Sequence, residues 1–343
     1  LGVILVIAPW NYPFQLTVAP LIAAIAAGNC AIAKPSELAP HTSAIISKII
    51  NSTFEAKYLV SVEGDAIVNQ ELLKLPFNHI FFTGGERVGK IVMEAAAKHL
   101  TPITLELGGK SPCIVESDFP LEHAARRIIW GKFFNAGQTC VAPDYLLVQK
   151  SVRAPLVEKM KMVLKEFFGD NPKSSPDYAR IISKGHFDRL SKLMTGKPIV
   201  GGQTDLADLF IAPTLLENVK LTDPIMNEEI FGPILPVIEY GTLDEAIRIV
   251  HERPKPLALY FFSTNKSAQD KVLDQISFGG GCINDTLVHL SSVHLPFGGV
   301  GPSGMGSYHG KTGFEIFSHK KSILKKTALF DVKIRYAPYT ERK

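Results

Sequence analysis

Cysteine is scarce in this chain of 343 residues: Cys30, Cys113, Cys140 and Cys282 are the four present. They lie far apart with no CxxC pair, which excludes a disulfide framework and a zinc finger and fits a reducing, cytoplasmic setting. Charge of one sign is scarce as well. The 37 Lys and Arg residues face 33 acidic ones, for a formal net charge of +4. Apart from Lys320, Lys321, Lys325 and Lys326 the basic residues are dispersed, so nothing resembles the basic stripe interleaved with aromatics that nucleic-acid binding needs. Long apolar runs are missing too. The longest, Leu16 to Ala33, is interrupted by Thr17, Pro20, Gly28 and Asn29 and reads as a buried helix followed by a strand, not a membrane span. No membrane attachment is visible, nor is the basic, apolar, small-residue succession of a signal peptide. Low-complexity tracts and internal repeats are absent, and no ligand spacing for a metal is found.

What remains is the composition of a globular enzyme, 46% hydrophobic and 20% charged, at a length that predicts two domains. Short apolar runs alternate with helical patterns: strand 2–8, helix 15–27, strand 30–34, helix 41–51, strand 58–62, helix 65–74, strand 78–82, helix 86–99, strand 102–106. Gly28 stands where a helix should stop and Pro40 where the next should start. This βα succession predicts a twisted, mainly parallel sheet with helices on both faces. The first strand begins at once from Leu1, as though in mid-domain with an N-terminal part missing. A second βα unit starts near Ser111. The expected division is a cofactor domain over 1–106, a catalytic domain over 107–310, and a segment 311–343 that returns to the first domain or meets a second copy.

Several short motifs carry candidate chemistry. Phe82-Thr83-Gly84-Gly85 ends a strand before a helix, where backbone amides and glycines let an anion approach. Gly84 to Gly89-Lys90 imitates the GxxxxGK of a P-loop, but Ile91 stands where Ser or Thr must hold magnesium. Neither is it GxGxxG, and a plain turn is as good a reading. Lys34 and Glu37, after another strand, could reach ribose hydroxyls at the carboxyl edge of a parallel sheet; alone, such a loop is usually just solvated. Cys140 follows Gly137-Gln138-Thr139, so a loop thiol and a small core residue are equally good readings. Glu106, flanked by apolar residues, would have its pKa raised toward a value useful to a general base if buried; a paired structural glutamate is the bland alternative. Asn11 could donate its amide to an oxyanion or simply form a turn.

The combination is more specific than its parts. Pro9-Trp10-Asn11-Tyr12-Pro13, Lys34-Pro35-Ser36-Glu37, Phe82-Thr83-Gly84-Gly85, Leu105-Glu106-Leu107-Gly108-Gly109-Lys110, Gly137-Gln138-Thr139-Cys140 and Glu229-Ile230-Phe231-Gly232-Pro233 occur in that order. Together they resemble the aldehyde dehydrogenase superfamily. Val141-Ala142-Pro143-Asp144-Tyr145 and the late Ser303-Gly304-Met305-Gly306-Ser307-Tyr308-His309-Gly310-Lys311 look like its class 3, fatty-aldehyde branch. The resemblance implies a Rossmann-like cofactor domain beside an α/β catalytic domain. It implies oxidation of an aldehyde to the acid through a thioester on Cys140. Asn11 and the Cys140 N–H would hold the oxyanion, and Glu106 would activate the hydrolytic water. It further implies NAD, with NADP tolerated, bound by Lys34, Glu37, Gly84, Gly85, Glu229 and Phe231. Tyr12, Trp130 and Phe134 would line a substrate entrance for medium- or long-chain aliphatic or aromatic aldehydes, although aromatics at such spacing are more often core. A homodimer is implied, and a membrane-anchoring tail beyond the chain is compatible with it.

Three other readings compete. A P-loop phosphotransferase built on Gly84–Lys90 lacks a companion magnesium aspartate. A catalytically silent family member would act as a binding or structural protein. Transfer of the acyl group to coenzyme A is a third, against which Glu106 argues, since water needs a base and a thiol supplies its own anion more readily.

Overall fold

The computed structural model describes residues 2–339. Leu1 and the end of the expected 311–343 segment, residues 340–343, lie outside them. The chain starts with β1 (Val3–Ile7), α1 (Pro13–Ala26), β2 (Cys30–Lys34), α2 (Pro40–Thr53), β3 (Leu59–Ser61), α3 (Ala66–Leu72), β4 (His79–Thr83), α4 (Glu86–Ala97) and β5 (Ile103–Glu106). The apolar residues of β1 do not alternate with polar ones because both faces of the sheet are covered: Ile4, Leu5 and Val6 are all fully buried. Pro13 and Pro40 open their helices, where the missing N–H costs nothing. Gly28 follows α1 with φ of +80°, the left-handed residue that stops a helix.

The described strands of this half run in the order β3-β2-β1-β4-β5, all parallel. Strand order therefore reverses between β1 and β4, and the crevice at the carboxyl ends of those two strands is where an open α/β sheet takes a ligand. Pro9 to Tyr12 leave one side of the crevice and Thr83 to Gly85 the other.

The second half contributes β6 (Pro112–Val115), α5 (Leu121–Phe133), β7 (Tyr145–Gln149), α6 (Arg153–Phe168), α7 (Lys184–Leu193), β8 (Lys197–Val200), β9 (Thr204–Asp205), β10 (Phe210–Ile211) and β11 (Thr214–Glu217). It continues with β12 (Ile234–Tyr240), α8 (Leu243–His251), β13 (Ala258–Phe262), α9 (Lys266–Gln275), β14 (Gly280–Ile283), β15 (Gly304–Met305) and α10 (Gly310–Ile316). Among the described residues the larger sheet has the order β14-β13-β6-β7-β12-β11-β8, parallel except for β8. Its strands feed two cores: Cys113, Leu146 and Val148 pack with Ile128 and Ile129 of α5, while Ile114, Tyr145 and Leu147 pack with Ile247 and Val250 of α8. Period-2 alternation along β7 thus buries both faces.

One feature departs from the expected division. The chain returns to the first sheet at β15, which pairs antiparallel with β5 through Gly304↔Glu106 and Met305↔Leu105. That is inside the span assigned to the catalytic domain and ahead of residue 311. Gly304, at φ +154°, is forced: a Cβ there would fall 2.5 Å from the Leu105 carbonyl. After it, Tyr308 and Phe317 join Phe81 in the first core, and Gly313 lets α10 close on Ala23 of α1.

Candidate active site

Cys140 sits at the end of a loop held in an unusual backbone conformation. After α5, Asn135 and Ala136 have φ of +51° and Gly137 +73°. Left-handed geometry is strained for alanine, and such strain persists only where the surroundings enforce it. Here the enforcing group is Gln138, whose amide donates to the carbonyls of Asn135 (3.2 Å) and Arg180 (3.0 Å) and accepts from the Ile182 N–H (3.0 Å). The 231–233 loop presses from the other side, since a Cβ on Gly137 would lie 2.2 Å from the Gly232 carbonyl. Cys140 is therefore presented on a braced turn, half-buried against the core of the second half.

The loop after β1 is laced to this turn in both directions. Asn11 Nδ2 donates to the Gln138 carbonyl at 3.1 Å, Asn135 Nδ2 donates to the Asn11 carbonyl at 3.1 Å, and the Tyr12 hydroxyl meets Thr139 Oγ1 at 2.5 Å. Only one of the two Asn11 amide hydrogens is consumed, leaving the other for a ligand. Tyr12 stacks on Phe134 at 6.3 Å, and Phe134 in turn meets Trp130 at 5.7 Å. Trp130 and Phe134 remain 39% and 46% exposed, so these three rings form an apolar strip opening outward from the cysteine turn.

Two carboxylates face Cys140. Glu106 ends β5, is 2% exposed, and neither of its oxygens has a hydrogen-bond partner among the described residues. Loss of solvent holds its pKa well above the usual carboxylate range. Glu229 lies across the Gly108-Gly109 turn: a Cβ on Gly108 would fall 2.1 Å from Glu229 Oε2. Burial, followed by the charge of Asp144, raises Glu229 to about 8, while the Gly109 N–H pulls the other way. Burial first, then Glu229 and Glu106, push the Cys140 thiol up to about 12, opposed by the N–H groups of Cys140 and Val141. Protonation of either carboxyl removes its repulsion of the thiolate.

On the far side of the crevice, Lys34 is buried at the end of β2, where its Nζ donates to the Pro35 carbonyl (2.9 Å) and to Glu37 (3.2 Å). Glu37 is part-exposed and pre-positioned by this bond. Gly85 caps the N-terminus of α4, with open space where a Cβ would stand, while a Cβ on the adjacent Gly84 would fall 2.5 Å from the Phe82 ring. Thr83 Oγ1, just ahead of these glycines in sequence, is buried without a hydrogen-bond partner among the described residues. A free hydroxyl, an open helix N-terminus and a buried lysine fit a phosphate- and ribose-bearing cofactor. Phe231, at φ +48°, is held edge-on by Trp10 at 5.4 Å. Gly89 and Lys90 lie inside α4, with Gly89 against Leu107 and Lys90 paired to Glu86, so they do not wrap an anion as a P-loop does.

Sequence reasoning overlooked three features here. Gln138 braces the turn, and nothing about a glutamine announces that. Lys110 and Asp144 form a buried pair, completed by the Ile225 and Glu228 carbonyls and the Ile230 N–H. Lys132 is fully buried; its signal was legible, since it continues the apolar stripe of Ala125, Ile128 and Ile129 on α5. Among the described residues no group of three or more His, Cys, Asp or Glu side chains could hold a metal, and no helix is long and apolar enough to cross a membrane.

Fold and site together fit an α/β enzyme with a nucleotide-type cofactor crevice at the switch point of its first sheet. A family model described as the aldehyde dehydrogenase family matches residues 1–323. The chain is 52% identical over 341 residues to 4,4'-diaponeurosporen-aldehyde dehydrogenase of Staphylococcus aureus, covering 98% of this chain and 74% of that protein. It is 51% identical to aldehyde dehydrogenase family 3 member A2 of Mus musculus (100% and 72% covered). It is 50% identical to the dimeric NADP-preferring aldehyde dehydrogenase of Rattus norvegicus (98% and 75%). A substrate-bound Staphylococcus aureus aldehyde dehydrogenase superposes with a TM-score of 0.95 at 51% identity, covering 98% of this chain and 74% of that one. The Mycobacterium tuberculosis enzyme complexed with NAD+ superposes at 0.87 with 30% identity, covering 96% and 70%. The chain belongs to the aldehyde dehydrogenase family, and within it to the class 3 branch. It is an NAD(P)-dependent enzyme that oxidises aldehydes to acids, which removes the phosphotransferase reading.

Proposed function

We propose that Cys140 is the nucleophile, Asn11 with the Cys140 N–H the oxyanion holder, and Glu106 the base that activates water. The observation that carries this reading is a half-buried cysteine on a braced turn whose carbonyl receives the Asn11 amide, together with a buried carboxyl that has no partner among the described residues. Ionised Cys140 adds to the aldehyde carbon, forming a C–S bond and an oxyanion; the second Asn11 hydrogen and a backbone N–H stabilise that charge. Bound NAD(P) supplies the hydride acceptor that takes this adduct to a thioester. Glu106, once deprotonated, then takes a proton from water as it attacks the thioester, the C–S bond breaks, and the acid leaves. A carboxyl without a structural partner supports hydrolysis over transfer to coenzyme A, and the same constellation argues against a silent binding protein.

Lys34, Glu37, Gly84 and Gly85 are assigned to the adenosine and phosphate end of the cofactor, and Glu229 and Phe231 to the nicotinamide end. The strip of Tyr12, Phe134 and Trp130 suits medium- or long-chain aliphatic or aromatic aldehydes. The first sheet, including β15, is taken as the cofactor domain and the larger sheet as the catalytic domain. A homodimer is proposed on the strength of the rat relative, whose name describes it as dimeric. Four unpaired cysteines fit a reducing, cytoplasmic setting.

Glu37 carries the NAD preference in this reading, because a 2′-phosphate placed beside its carboxylate is repelled. In Glu37→Gln the ratio of kcat/KM for NAD over NADP should fall by about tenfold. A ratio that does not move would remove Glu37 from cofactor choice. The chemistry itself is tested by quenching the enzyme in acid after brief turnover with NAD and an aliphatic aldehyde and mapping peptides by mass. The acyl increment belongs on the peptide containing Cys140; NADH formed with the adduct elsewhere would sink the assignment.

A further inference from the structure

The helix α7 buries Phe187, Leu190 and Leu193 in the second core, and Arg189 on its flank reaches the 229–232 loop. One guanidinium there serves two successive carbonyls, donating to Glu229 at 3.1 Å and to Ile230 at 2.6 Å. The Glu228 carboxylate, 3.3 Å from the same guanidinium, holds it in place. Two carbonyls aimed at one point bring their negative ends together, and a cation offsets this as it does at the last turn of a helix. The strain of the fold-back appears one residue on, where Phe231 takes φ of +48°, a region unfavourable for a residue with a Cβ. Peptide planes are rigid, so these oxygens have consequences beyond themselves. The Glu229 carbonyl lies in the plane that follows Glu229, and the Ile230 carbonyl in the plane that precedes Phe231. Fixing both oxygens therefore fixes the backbone beside both side chains.

We propose that Arg189 is a positioning residue for hydride transfer: it clamps the Glu229-Ile230-Phe231 backbone in the shape that presents Glu229 and Phe231 to the nicotinamide end of the cofactor. Other contacts hold the loop at different points and leave this task to the guanidinium. The Ile230 N–H donates to Asp144 at 2.9 Å. Gly232 packs on Leu190 of α7, which lies 2.4 Å from where a Cβ would stand, and the Gly232 carbonyl presses on Gly137 of the cysteine turn. Among the described residues no other hydrogen bond reaches the Glu229 or Ile230 carbonyl. The Phe231 ring meets Trp10 edge-on at 5.4 Å, and Trp10, next to Asn11 in the chain, meets His186 at 5.2 Å. His186 stands one turn before Arg189, so α7 touches the loop after β1 and the 229–232 loop together and sets one against the other.

This inference rests on Glu229 and Phe231 serving the nicotinamide end, and the test is chosen to separate the two. Arg189→Met in the full chain is assayed in two ways. With NAD and an aliphatic aldehyde, kcat/KM should fall by about ten- to a hundredfold, the cost of a small misplacement of a reacting group. Deuterium on the aldehyde carbon should then slow the variant more than the parent, because the hydride step has become limiting. With p-nitrophenyl acetate and no cofactor, nitrophenolate leaves as Cys140 is acylated and water then releases acetate. No hydride moves in that reaction, so its rate should stay within about twofold of the parent. Arg189→Lys keeps the charge but cannot fork to two carbonyls, and should fall between parent and Arg189→Met with NAD. A parallel loss in both assays, seen in Arg189→Lys as well, would mean general damage and overturn the proposal. So would an NAD-dependent rate and isotope effect that neither variant changes. Phe231→Leu tests the underlying reading: NAD-dependent turnover should drop, and an unchanged rate would remove the loop from the cofactor site and the clamp with it. A drop in Phe231→Leu with none in Arg189→Met would overturn the clamp alone.

Discussion

Replacing Cys140 with alanine should lower kcat by about four orders of magnitude or more while leaving the fold and cofactor binding intact. The loss is large because no second thiol can take over. Cys113 is fully buried in β6, with its thiol driven well above the usual range by desolvation. Cys282 lies on β14 beside His289, and its thiol too is raised by burial. The loss is also local. The turn is held by Gln138, Asn135 and Asn11 through bonds that do not involve the sulfur, so removing that one atom should move the melting temperature by only a few degrees. Lys34, Glu37 and Gly85 stand on other strand ends, so NAD should still bind. Stopped-flow NADH formation and a fluorescence titration of cofactor separate the two effects. Turnover within tenfold of the parent enzyme would show that the thiol is not the nucleophile.

Much of this arrangement was legible because burial on both faces leaves a plain mark on a strand. The run Val3-Ile4-Leu5-Val6-Ile7 is continuous and apolar for that reason, and Gly28 and Pro40 fix helix ends by what their backbones can and cannot do. The return at Gly304–Met305 was not legible. A two-residue strand has no periodicity, and its partner is nearly 200 positions away in sequence. Nor does any residue type announce that Ala136 adopts φ of +51°; that conformation is imposed by Gln138 and the 231–233 loop, which are contacts of tertiary structure. The same divide runs through the site. Local residues left Cys140 balanced between loop and core, and the balance was tipped by the order of six motifs taken together. Glu106 was flagged by its apolar neighbours, but the absence of any partner for its oxygens is a fact of three dimensions.

That missing partner makes Glu106→Gln the most informative substitution after the nucleophile, because it separates the two halves of the reaction and alters stability in a predictable direction. Glutamine keeps the shape of the side chain but cannot accept a proton from water. Acylation should proceed and deacylation stall: a burst of NADH equal to the enzyme present, then steady turnover slower by about a hundred- to ten-thousandfold, with the acyl increment persisting on Cys140. Slow turnover without a burst would mean that Glu106 acts before the thioester and not after it. The effect on stability follows from the raised pKa. Once the pH passes the ordinary glutamate value of about 4.3 the unfolded chain gives up this proton, while the folded chain keeps it until its own higher pKa is reached. The unfolded state therefore binds fewer protons in that window, and this group's contribution to stability decreases as pH rises through it. Glutamine carries no proton to lose, so the variant should gain stability relative to the parent on going from pH 5 to pH 8. Urea unfolding at those two values checks it. An equal difference at both would mean that Glu106 is ionised in the folded protein and held by a partner, and its role as a poised base would fall with that result.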